Sequence, residues 1–77
     1  MVRAYILIQA QVGASGDVRK FVEALDAVTS AEVVSGPYDV IAVAAAPSMD
    51  ELGKLVVEGV QQVEGVTRTL TCPVIQF

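Results

Sequence analysis

Residues 40 to 46 read Val-Ile-Ala-Val-Ala-Ala-Ala, a strand-length run with no polar position on either face. Such a run fits a strand buried on both sides and is too short for a membrane span. In a chain of 77 residues, a strand of that kind can only be central. Everything else must be arranged around it. The run starts from Gly36-Pro37-Tyr38-Asp39, which has turn chemistry, so Tyr38 to Ala46 is expected as a strand hairpinned to a shorter one at Ala31 to Ser35.

The flanking segments change period. Val2 to Val12 alternates, with Val2, Ala4, Ile6, Ile8 and Ala10 on the expected core face and Arg3, Tyr5, Leu7, Gln9 and Gln11 on the other. After Gly13-Ala14-Ser15-Gly16, a helix is expected with Ser15 or Asp17 as cap and Val18, Phe21, Val22, Leu25 and Val28 as its apolar stripe. Ser48-Met49-Asp50-Glu51 has the capping-box form and opens a second helix. Its stripe is Met49, Leu52, Leu55, Val56, Val60 and Val63, and Gly65 is expected as its left-handed terminator. A last strand is expected from Val66 to Phe77.

The order β-α-β-β-α-β, with one apolar stripe per helix, predicts an α+β ferredoxin-like fold. Two helices would cover one face of a four-stranded antiparallel sheet of order 4-1-3-2. The helices can cover only one face. The other face needs a partner, and Tyr5, Leu7, Val40, Ala42 and Ala44 are the candidates for a dimer interface between sheets, as in dimeric α+β barrels. A composition 53% hydrophobic and only 18% charged agrees, because a domain this small cannot hide so much apolar surface alone.

Several functions are disfavoured. The five basic residues are scattered and the net charge is −4, which argues against direct nucleic-acid binding. No histidine and a single cysteine, Cys72, leave no metal set and no internal disulfide, and no cofactor is expected. No phosphate loop, copper-binding cysteine pair or stretch of membrane-spanning length occurs, and no signal-peptide pattern opens the chain, so a cytoplasmic protein is expected. Asp50 and Glu51 suit a helix N-terminus better than a pair of catalytic carboxylates, and no enzyme is expected.

Two segments carry more chemistry than a scaffold needs. Gly36-Pro37-Tyr38-Asp39 delivers a phenol and a carboxylate to the start of an apolar strand, where Asp39 either stabilises the turn or meets a ligand. Thr67-Arg68-Thr69-Leu70-Thr71 projects three hydroxyls at period two, as a ligand surface or as simple strand-formers.

At these segments the chain resembles the effector-binding (RAM) domain of the Lrp/AsnC family, the leucine-responsive and asparagine regulators. The likeness runs through Ala4-Tyr5-Ile6-Leu7-Ile8, Val33 to Val40 and Gly65 to Thr71, and so covers the chain from 1 to 77 as a single domain. It implies dimers formed through the sheets, assembly into octamers or decamers, and a free amino acid bound between dimers. Gly36, Tyr38, Asp39, Thr69 and Thr71 would be the ligand shell. Full-length members carry a helix-turn-helix domain ahead of this one. Here Met1 directly precedes the first strand, so a stand-alone module is expected, one that regulates amino-acid metabolism through a full-length relative. An oligomeric scaffold without a ligand is the alternative, and a small barrel enzyme a weaker one.

Overall fold

Residues 1–76 are described in a computed structural model, and Phe77, the expected end of the last strand, lies outside the described residues. The elements run β1 (Val2–Ala10), α1 (Ser15–Glu23), β2 (Val28–Val33), β3 (Val40–Ala46), α2 (Met49–Lys54) and β4 (Val66–Pro73). All strands pair antiparallel in the order β2-β3-β1-β4, which is the expected 4-1-3-2 seen from its other edge.

The core lies between the helices and one sheet face. Ala4, Ile6 and Ile8 of β1 are buried there with Val18 and Val22 of α1 and with Leu52, Val56 and Val60. The parity of β1 therefore follows its alternation. The parity of β3 does not, and the interface assignment of Val40, Ala42 and Ala44 is corrected: all three are fully buried beneath the helices. They sit directly opposite Ile8, Ile6 and Ala4, and directly opposed residues in an antiparallel pair share a face. The open face of β3 carries Ile41, Val43 and Ala45 instead.

Local details also depart from expectation. Neither Ser15 nor Asp17 caps α1; Ala14 holds that position, with no side-chain hydrogen bond. Val28 opens β2 rather than closing α1, because the chain leaves the helix at Ala24 and turns through Asp26. Phe21 stays half-exposed at 56%. The second helix begins as expected, with Ser48 Oγ accepting from the Glu51 N–H at 3.2 Å, but the Glu51 carboxylate lies toward Lys54 instead of reaching back. The helix then widens into a π turn over Leu55–Gly59, whose end shares the Val60 N–H between the Leu55 and Val56 carbonyls, and tightens to a 3-10 turn over Val60–Gln62. Gly59 lies where a Cβ would stand 3.3 Å from Leu25 Cδ1, so its bare backbone lets the turn after α1 pack closely against the second helix.

Gly65 ends this segment at φ +97°, the expected left-handed conformation. It is doubly constrained, since a Cβ there would also stand 3.0 Å from Ala14 Cβ.

Candidate functional site

The hairpin loop between β2 and β3 folds over the C-terminal end of β1, and hydrogen bonds hold it there. The Asp39 N–H donates to Ile8 O at 2.9 Å, and Gln9 Nε2 donates to Pro37 O at 3.0 Å. The last ladder pair between β1 and β3 is Ile8 with Val40, so the next β1 donor on that side, the Ala10 N–H, has no backbone partner in β3. The Asp39 carboxylate supplies one, accepting it through Oδ2 at 2.7 Å. Asp39 thus extends the ladder by a side chain. Gly36 adopts φ +144°, a conformation that favours glycine, and lets the loop turn back.

This bond sets an expected result. Asp39→Ala leaves a part-buried donor unmet and should cost about 1–3 kcal/mol of stability, whereas Asp39→Asn keeps an acceptor and should cost less. Thermal unfolding of the two variants measures the difference.

The threonines lie on the other side of β1. Thr69 and Thr71 sit opposite Ile8 and Ile6, on the helix-side face of the edge strand, and both are half-buried. Thr69 Oγ1 accepts from Gln61 Nε2 at 3.0 Å, and Thr71 faces a recess walled by Met49, Leu52, Val56 and Val57. Thr67 is drawn off by a bulge in the β1–β4 ladder, where its hydroxyl donates to Gln9 O at 3.2 Å. The Val74 N–H donates to Arg3 O, and the antiparallel alternation then directs the Thr69 and Thr71 N–H groups outward along the free edge. A shallow polar recess results, lined by Gln61, Thr67, Arg68 and Thr69. Hydroxyls, outward amides and a guanidinium there are suited to a carboxylate.

The two halves of the expected shell do not meet within one copy. Asp39 and Thr69 flank Ile8 on opposite sides, two strand spacings or about 10 Å apart. Gln61, Arg68 and the Ala10 amide were not among the expected site residues. Gln61 could have been found by following the exposed side of the second helix to the edge strand.

On the open sheet face, Tyr5 and Leu7 stand opposite Val43 and Ile41, with Leu70 and Cys72 completing the rows on β4. Tyr5 and Leu70 are 45% and 47% exposed, so the middle of the sheet presents an apolar surface. Among the described residues no polar or charged residue is buried, and no group of three or more His, Cys, Asp or Glu is placed to hold a metal. No helix is long and apolar enough to cross a membrane.

A βαββαβ sheet with both helices on one face defines a ferredoxin-like α+β domain. The family model for the Lrp/AsnC ligand binding domain matches residues 3–77, and the chain belongs to that family. TTHA0845 from Thermus thermophilus superposes with a TM-score of 0.93 at 28% identity, over all of this chain and 96% of that one. The E. coli AsnC structure gives 0.91 at 25% identity, over 99% of this chain and 52% of that chain, so this chain spans about half of it. The transcriptional regulator NMB0573 from Neisseria meningitidis, solved as an L-Met complex, gives 0.87 over 97% of this chain and 50% of that one; at 19% identity it speaks for the fold alone. No curated protein sequence matches the chain.

Proposed function

We propose that this chain is an effector-binding module that takes a free amino acid at a site assembled between copies, carries out no reaction, and passes occupancy to a regulator bearing a DNA-binding domain in the cytoplasm. The observation that carries this reading is the split shell. Asp39 with Tyr38 and Gly36 lies on one side of β1, and Thr69 with Thr71 lies on the other. A ligand using both sets must sit where two copies meet.

The chemistry fits an amino acid. Its carboxylate finds hydroxyls, outward amides and Arg68 along β4, and its ammonium finds the remaining lone pairs of Asp39 on a neighbouring copy. Burying both charges is tolerable when both are met. The Neisseria regulator that shares this fold over half its length was solved as an L-Met complex. Copies would first pair through the open sheet faces, around Tyr5, Leu7, Ile41 and Val43, and the pairs would then build octamers or decamers. A full-length Lrp/AsnC regulator joining such an assembly would supply the DNA contact.

A second reading, a scaffold without a ligand, draws on one observation: the Asp39 and Thr69 side chains already have partners within the chain. Thermal unfolding with each of the twenty amino acids separates the two. A ligand at about 100 times its dissociation constant adds about 2.7 kcal/mol to the folded assembly, which for a domain of this size raises Tm by roughly 10 °C or more. A flat Tm across all twenty supports the scaffold.

A further inference from the structure

The free edges of the sheet are treated differently. Along β2 the Val34 N–H donates to Asp39 O, so the antiparallel alternation pairs Glu32 with Ile41 through hydrogen bonds and turns the Ala31 and Val33 N–H groups away from β3. An outward N–H on an edge strand is a template for a strand from another chain. At Ala31 that place is taken. Glu23, the last residue of α1, reaches across and accepts the Ala31 N–H through Oε2 at 3.3 Å. Its other oxygen, Oε1, is held by Arg19 Nη1 at 2.8 Å, one helical turn back.

We infer that Glu23 seals the β2 edge against strand addition by a second copy of this chain, so that assembly is confined to the other surfaces. An incoming strand would have to place a carbonyl oxygen where Glu23 Oε2 already stands, and two oxygen atoms cannot occupy that place. Ala31 and Val33 are the outward positions of the regular β2 ladder, so blocking Ala31 leaves a single free donor there. The ladder does not continue regularly toward the N-terminal end of β2: the β2–β3 register shifts between Val28 and Ser30, and Thr29 Oγ1 donates to Val43 O. Glu32 adds a charge beside the seal. The β4 edge carries no such carboxylate among the described hydrogen bonds, and Thr69 and Thr71 keep outward amides there.

The test compares wild type with Glu23→Ala, Glu23→Gln and Arg19→Ala by sedimentation velocity over a wide concentration range, with hydrogen exchange read at the Ala31 amide. Glu23→Ala should speed exchange at Ala31 by about tenfold in dilute solution, as the loss of one hydrogen bond allows. As concentration rises it should form species heavier than the wild-type assembly, with Ala31 protection regained. Glu23→Gln retains an acceptor and should keep the wild-type sedimentation. Arg19→Ala, which removes the same ion pair but leaves the seal, controls for loss of helix stability and should also sediment as wild type. A folded Glu23→Ala variant with wild-type sedimentation at every concentration overturns the inference. So does a heavier species formed equally by Arg19→Ala.

Discussion

On the proposed pairing through the open sheet faces, Val43→Asp is expected to leave single folded copies. Val43 stands at the middle of the open sheet face, opposite Tyr5 and flanked by Ile41, and its side chain points away from the helices. Pairing two such faces would bury the new carboxylate in an apolar contact, with no cation directly opposite it; Arg3, on that face, stands opposite Ala45. The effective penalty for burying an unpaired charge is several kcal/mol per ion, and a symmetric interface would incur it twice. In the single copy the same carboxylate faces water. The helical signature by circular dichroism should be unchanged while the sedimentation coefficient falls.

Ala44→Asp, one residue further, should have the opposite outcome. Ala44 is fully buried opposite Ala4 in the helix-side core, and no cation or donor lies there to meet a charge. A domain of this length has a total stability of roughly 4–12 kcal/mol, so an unpaired buried carboxylate costing several kcal/mol takes most or all of it. The variant should be unfolded or unfold at markedly lower temperature. A pair of neighbours with dissociation at one and unfolding at the next tests the face assignment of β3 directly.

That assignment is also where the sequence was least legible. In β1 the alternation of Ile6 and Ile8 with Leu7 and Gln9 carries polar markers, so its core face could be read from the chain alone. In β3 every position from Val40 to Ala46 is apolar, and an alternation without a polar partner has no visible phase. Only the register with β1 decides it. Val28 misled for a related reason: it stands at helical spacing from Leu25, yet it is β-branched and heads Thr29-Ser30, and tertiary pairing with Ala44 claims it for β2. The π turn was hidden because the apolar spacing of Leu55, Val56 and Val60 reads as an ordinary helix, and the close neighbour of Gly59, Leu25, lies 34 residues away in sequence.

The candidate site was half legible. Turn chemistry marked Gly36 to Asp39 and period two marked the threonines. The partner of Asp39, however, is a backbone amide at Ala10 that no side-chain pattern announces. Likewise, nothing in the spacing of Asp39 and Thr69 told that β1 would run between them. The order of strands did.

The central claim is that the ligand site exists only between copies. Titration calorimetry of the amino acid that most raises Tm, run on wild type and on the dissociated, folded Val43→Asp variant, tests it most directly. The account predicts saturable heat for the wild-type assembly and none for the single copies. Equal binding by the Val43→Asp variant would place the site within one chain and contradict it, and absence of heat from both proteins would leave the chain a scaffold.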